Sequence, residues 1–459
     1  MENLTIADRD LAMEESLEKI IELVLEKKYF LARDELLKYN AVDIAELLEE
    51  VMEDVGIQAA VILFRLLPKD VSVDVFSELP SDDQVEIVSS ITDREIHYIV
   101  HEMDFDDKID ILEELTANIV DKILEKTPKS ERRLINTFLN YPDNCAGSLM
   151  TPDYISLQKD WTVREALDHI KREGIDAETI YTCYVKDRGR KLIGIVSLST
   201  LVVSDDNTKI NDIMHTEFVY ENVYDDQEDV AADFKKYGFM AIPVVVGIIT
   251  FDDILDVIEE EATEDIERMN GVIDFDKSDR TYLDMSPWQH VINRLPWLLI
   301  LMVAYVFTGK IISNFEGQLS DYTNLITYMP MLMGTGGNTG SQAATLIIRG
   351  LATDEVEPQD FLKILWKEIR VGIILGTILS IINFARIYFL EGVPFSQTIT
   401  VCTSMIGIVM FAKILGSMIP LIVKKLNLDP ALIANPAISS VSDAVALSIY
   451  FLMAGIFVF

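Results

Sequence analysis

The feature that most constrains this chain is where its charge lies. Of 76 Asp and Glu residues, ten fall beyond residue 290, and ten of the 39 Lys and Arg match them there. The whole surplus of 37 negative charges therefore belongs to the first 290 residues. The remainder is neutral and carries five apolar segments, at residues 295–312, 325–351, 369–389, 398–423 and 431–459. Each has about the ~20 residues that cross ~30 Å of hydrocarbon. A chain so divided reads as an acidic water-soluble module joined to a membrane module. Its charge repels phosphate backbones, which excludes nucleic acid as a partner. Three cysteines cannot build a disulfide framework. The acidic start MENLTIADRDLAMEESLEK is no cleavable signal, so the soluble module is expected in the cytoplasm.

Residues 1–140 are rich in Leu, Glu, Asp and Lys and read as an acidic helical domain. A repeat of twelve runs through PKDVSVDVFSEL, PSDDQVEIVSSI, TDREIHYIVHEM and DFDDKIDILEEL, starting at Pro68, Pro80, Thr92 and Asp104. Its apolar positions (Val75, Phe76, Leu79 and their equivalents to Ile111, Leu112, Leu115) fall at i, i+3 and i+4 and place one stripe on each short helix. Pro, Thr or Asp at each start suits a first turn or cap. Units this short must stack to bury a face, which predicts an α-solenoid.

From 141 to 250 the pattern turns to mixed α and β, and a unit beginning at Met150 returns at Met214. This duplication resembles a tandem CBS-domain pair, a regulatory module that often binds adenine nucleotides. The second copy ends GIITFDD, matching the family's ribose motif through Thr250 and Asp253, whereas the first reads GIVSLST and lacks the Asp. In the first copy Lys186–Lys191 has room for a hairpin turn. In the second, the spacing from Val245 to Gly247 leaves none, so either the turn is lost or about seven residues are absent, the reading preferred here.

Residues 251–285 open with FDDILDVIEEEATEDIERMNG, an anionic helical pattern ending at Gly271. Like charges one turn apart destabilise a helix unless cations gather on it, and carboxylate oxygens are what Mg²⁺ selects. A solvated connector would show the same composition.

Residues 286–459 form the five-span module. With the soluble module inside, Arg294, Arg349, Lys363, Lys367, Arg370, Lys424 and Lys425 flank the cytoplasmic ends, and only Lys310 and Arg386 the outer ones. Basic residues stay inside, so the orientation is N-in and C-out. The second span holds MGTGGNTGSQ, residues 333–342, without the Gly-Lys-Ser/Thr of a phosphate loop. Helix packing accounts for its glycines but not for Asn338 and Gln342 at membrane depth. In the fifth span Ser439, Ser442, Asp443 and Ala446 share a helix face, and Pro436 is expected to free carbonyls near Leu432. An acid seven residues beyond Pro436, about 10 Å along a helix, is costly unless it meets a cation or water. Broken helices beside a carboxylate are how membrane proteins bind cations.

The run PMLMGTGGNTGSQAATLIIR from Pro330 and the sequence Asp429-Pro430-Ala431…Asn435-Pro436…Ser442-Asp443 resemble the signatures of MgtE magnesium channels. The order of parts is similar over essentially the whole chain. The resemblance implies a homodimer in the bacterial cell membrane, with a Mg²⁺-selective pore closed by high cytoplasmic Mg²⁺. It implies hydrated Mg²⁺ at Asp443, with Asn435, Ser439 and Asn338 as pore residues. It implies metal sensing by Asp106, Asp107, Asp226, Asp253, Asp256, Glu261, Glu264 and Asp265, with ATP a possible ligand of the CBS pair. Asp253 then belongs to both a metal and a nucleotide motif, and the metal role is preferred. A secondary divalent-cation transporter or exchanger would use the same Asp443. A nucleotide sensor without transport would leave Asp443 and the Gly-Asn-Gln segment unexplained. No paired nucleophile and base suggests an enzyme.

Overall fold

The computed structural model describes residues 6–458 except 176, 274–281, 284, 320, 321, 354, 427 and 434. Helices α1 (Ile6–Leu25), α2 (Tyr29–Leu36), α3 (Ala41–Asp54) and α4 (Ile57–Leu66) come first. Six short helices follow: α5 (Lys69–Ser77), α6 (Ser81–Ser90), α7 (Asp93–Glu102), α8 (Phe105–Glu114), α9 (Ala117–Lys126) and α10 (Lys129–Phe138). The residues that precede them are Pro68, Pro80, Thr92, Asp104, Thr116 and Pro128, so the period of twelve runs two repeats further than the apolar pattern shows. Thr92 and Glu95 form a reciprocal capping box. α4 packs on α6, α5 on α7, α6 on α8 and α7 on α9, which is how short amphipathic helices share one continuous core. Of the apolar repeat positions all but Ile91 are buried.

The mixed region holds β1 (Tyr154–Gln158), α11 (Val163–Glu173), β2 (Thr179–Lys186), β3 (Leu192–Ser197), α12 (Leu198–Val203), α13 (Ile210–Ile213), α14 (Gln227–Tyr237), β4 (Ala241–Pro243) and β5 (Ile248–Thr250). β1 pairs parallel with β2, and β2 antiparallel with β3. The β2–β3 turn is closed by the Asp187 carboxylate, which accepts from the Gly189 and Lys191 N–H groups. The second copy departs from expectation. β4 and β5 do pair antiparallel, and the Val244 N–H donates to the Gly247 carbonyl at 2.9 Å. The turn is made by ending each strand after three residues. Shortened strands, not a lost hairpin, accommodate the close spacing.

The chain divides into two compact units, Met1–Glu259 and Glu260–Phe459, with the boundary inside α15 (Phe251–Met269). Gly271, with a φ of 72°, follows that helix in the left-handed conformation that ends many helices. The second unit contains α16 (Pro287–Leu319), α17 (Thr323–Ala352), α18 (Phe361–Phe384), α19 (Phe395–Lys425) and α20 (Asn435–Phe457). Four of these, α16, α18, α19 and α20, are long and apolar enough to cross a membrane. α17 has the length, 30 residues, but its glycine, threonine and amide content makes it more polar. α19 is the packing centre, touching α17, α18 and α20. A six-residue π-helical segment, Ala385–Leu390, extends α18. Pro436 lies in the first turn of α20, where its missing N–H is no loss, so this helix has no interior kink. The break falls earlier, at the 3₁₀ turn Pro430–Ile433.

Candidate functional site

In the first unit the acids that sequence singled out gather with others it did not. Asp106 and Asp107 stand in the first turn of α8 and Asp253 in the first turn of α15. Burial, with Glu178, Asp253 and Asp107 nearby, pushes the Asp106 carboxyl up to about 9. Burial likewise raises Asp107 to about 6 against a hydrogen bond from Ser77, and raises Glu178, beside Asp104 and Asp253, to about 7. The Asp253 carboxyl is raised by burial despite a hydrogen bond from Thr250, and that of Asp256 by burial beside Glu259 and Asp252. Like charges held in partly dry surroundings favour the protonated form unless a cation joins them. Among the described residues, no three His, Cys, Asp or Glu side chains already converge as a metal cage. Glu178 was invisible to sequence reasoning because it lies in the connection before β2, and only tertiary packing brings it to α8. Asp226 does a separate job: its carboxylate accepts from the Glu228 N–H and caps α14.

The other regulatory candidates belong to the second unit. Burial, then Asp429 and Glu261, raise the Asp265 carboxyl. Glu264 pairs with Arg268, whose Nη1 also reaches Asp429 Oδ2 at 3.0 Å. Met269 packs near Ala344, Ile348 and Ile438. The end of α15 is thus tied to the turn that precedes α20 and to the helices α17 and α20.

Asp443 is half-buried on α20. Its neighbours Ser440 and Ser442 are buried, and neither hydroxyl has a hydrogen-bond partner among the described residues. The glycines of α17 make the close approach possible. A Cβ at Gly337 would meet Ser439 Oγ at 3.4 Å, and one at Gly340 would meet Ser442 Oγ and the Ala412 carbonyl at 3.3 Å. Ser439 Oγ and Ser341 Oγ stand 3.5 Å apart. Asn338 and Gln342 occupy the exposed face of α17, away from this glycine stripe, and line an open cavity with Ser341, Thr345 and Lys413. Asn435 opens α20, and its side chain lies outside the described residues.

Thr250 and Asp253 are bonded to each other, the hydroxyl donating to Asp253 Oδ2 at 2.6 Å. They line no part of the cleft between the two CBS-like copies. That cleft, roughly 670 Å³, is bordered by Tyr181, Thr182, Ser197 and Ser199 from the first copy and by Phe239, Met240 and Pro243 from the second. Hydroxyls and apolar surface suit a base and a sugar, but no Lys or Arg lines it to hold a polyphosphate.

Comparison with known proteins places these parts. Residues 329–453 match the MgtE family of divalent cation transporters, 39–144 the MgtE intracellular N domain, and 146–205 a CBS domain. The chain is 36% identical over 398 residues to the magnesium transporter MgtE of Thermus thermophilus, covering 85% of this chain and 87% of that one. It is 31% identical to the magnesium transporter MgtE of Bacillus subtilis over the same shares. Among solved structures, the soluble part of a magnesium transporter aligns at 30% identity over 55% of this chain and 99% of that one, with a TM-score of 0.49. The cytosolic domain of the Mg²⁺ channel MgtE in complex with ATP aligns at 30% identity over 52% and 98%, with a TM-score of 0.48. With a relative above 30% identity spanned over most of its length, the chain belongs to the MgtE family of magnesium transporters.

Proposed function

We propose that this protein is a Mg²⁺-selective channel of the cell membrane, a homodimer with its N-terminus in the cytoplasm and its C-terminus outside, closed by rising cytoplasmic Mg²⁺. The observation that carries the reading is Asp443 with the unpartnered buried hydroxyls of Ser440 and Ser442 beside it. One carboxylate and a few hydroxyls cannot strip the waters from Mg²⁺, which sheds them reluctantly. They can hold the hydrated ion and release it, as conduction requires. Ser439 adds an oxygen beside them, and Asn338, on the cavity side of α17, and Asn435, at the start of α20, are the remaining pore residues.

Closure follows from the acids. Mg²⁺ binding to Asp106, Asp107 and Asp253, joined by Glu178, relieves their mutual repulsion and draws their elements together. Asp226, which also caps α14, and Asp256, Glu261, Glu264 and Asp265 of α15 are further ligands of regulatory Mg²⁺. Because the end of α15 is tied through Arg268 to Asp429, movement of that helix reaches the turn that begins α20. Adenine nucleotide modulates the CBS pair through its base and ribose at Ser197, Ser199 and Thr182. Adenosine is then expected to displace labelled ATP nearly as well as ATP itself.

Current recorded from membrane patches while internal Mg²⁺ is raised tests the reading. The expected record is ohmic current that shuts as Mg²⁺ increases. Saturating flux that disappears with a counter-ion gradient would instead identify a coupled exchanger.

A further inference from the structure

Lys413 lies well inside α19, one of the helices apolar enough to span a membrane. It is only 5% exposed. Among the described residues its ammonium meets no hydrogen-bond or ion-pair acceptor. The side chain lines a cavity of roughly 620 Å³ together with Asn338, Ser341, Gln342 and Thr345 of α17. Its depth follows from packing. Gly340 touches the Ala412 backbone on α19 and Ser442 on α20. α19 runs parallel to α17 and α20 antiparallel to it, so Lys413 and Asp443, each one residue beyond those contacts, lie on opposite sides of the Gly340 level, about 3 Å apart along the bundle. An acid lies at a similar depth on the neighbouring helix α18. Gly372 packs on Met410, Gly376 on Ile406, and Ser380 donates to the Cys402 carbonyl. That antiparallel register sets Glu368 opposite Ile414, next to Lys413, and Glu368 Oε2 is buried without a partner among the described residues.

A cation at this depth is expensive and marks function when it borders a polar cavity. We infer that Lys413 is a fixed positive charge beside the cation path, limiting throughput and weighting it by ion charge. The inference rests on the transport reading above. Repulsion is linear in the charge of the passing ion, so the barrier Lys413 adds for a divalent ion is twice that for a monovalent one. Removing the charge should therefore speed divalent flux by the square of the factor for monovalent flux.

The test uses full-length protein in proteoliposomes, with Mg²⁺ uptake and, in Mg²⁺-free buffer, Na⁺ uptake measured for wild type, Lys413→Gln and Lys413→Arg. If Na⁺ flux through Lys413→Gln rises about threefold, Mg²⁺ flux should rise about tenfold. Lys413→Arg, which keeps the charge, should stay near wild type. If Lys413→Gln fails to insert because Glu368 is stranded, the double variant with Glu368→Gln is compared with Glu368→Gln alone, with the same expectation. An unchanged Mg²⁺-to-Na⁺ ratio, or equal loss of both fluxes in the Gln and Arg variants, overturns the inference and leaves a packing role. Wild-type liposomes that take up no Mg²⁺ would instead overturn the transport reading.

Discussion

Between Met1 and Glu259 buried acids are gathered, whereas between Glu260 and Phe459 the carboxylate of the transport reading, Asp443, stands without another acid beside it. Asp106, Asp107, Glu178 and Asp253 stand close enough to raise one another's carboxyls. In the second unit, Asp443 stands among hydroxyls, Arg268 joins Glu264 to Asp429, and Lys413 faces amides. The difference separates two tasks that both use carboxylates and Mg²⁺. A crowd of like charges responds to cation concentration, because one divalent ion neutralises several at once. A single carboxylate in apolar surroundings holds an ion weakly enough to pass it on. Sensing favours convergence, and conduction favours isolation.

The comparison is broken most severely at Asp443. Asp443→Ala should abolish Mg²⁺ uptake while the protein still inserts and dimerises. Near-normal uptake in proteoliposomes would remove the isolated carboxylate from the path. Next in size is Gly416→Ala. A Cβ there would overlap the Gly340 carbonyl, a backbone atom that cannot swing aside, so α17 must part from α19. The expected loss is about 1–3 kcal/mol of stability, read as a lower melting temperature in detergent.

The gathered acids give two smaller effects. Neutralising Asp256, Glu261 and Glu264 together should shift the internal Mg²⁺ that halves the current upward by about tenfold, about 1.4 kcal/mol. Less repulsion alone would favour closure, but loss of coordination to a divalent ion should outweigh screened charges ~8 Å or more apart. Current inhibited as in the wild type would show that these acids are only a solvated face. The smallest effect is on pH dependence. Asp106, Asp107 and Glu178 have folded values above their ordinary ones, about 9, about 6 and about 7. Their contribution to stability is full below the ordinary carboxylate range and is lost as pH rises through those values. Hydrogen exchange of α8 in the full-length protein, in EDTA, should therefore speed up from about pH 5 to pH 9 beyond its intrinsic base dependence. Mg²⁺ should flatten that excess, and Asp106→Asn should remove much of it.

Much of this was legible in the amino-acid order. Repeats of twelve announced themselves because Pro68, Pro80, Thr92 and Asp104 mark helix starts by local chemistry, and apolar spacing follows from helical pitch. Asp443 stood out because an acid inside an apolar run has few structural uses. Turn Val244–Gly247 was not legible, since strand length is set by pairing and not by residue type. Nor was the placing of Thr250 and Asp253, whose mutual hydrogen bond occupies the motif that a nucleotide would read.

Sequence alone determined the division into an acidic soluble part and a neutral apolar one, the solenoid, the CBS-like duplication and the family signatures. All of these depend on composition or on residues near one another in the chain. Tertiary structure decided which charges meet. Glu178 joins α8 across a long stretch of chain, Arg268 finds Asp429 161 residues away, and Lys413 and Asp443 come to similar depths only because Gly340 lets both helices approach α17. Electrostatic energy depends on distance and burial, and neither is written in sequence spacing once the chain has folded back on itself.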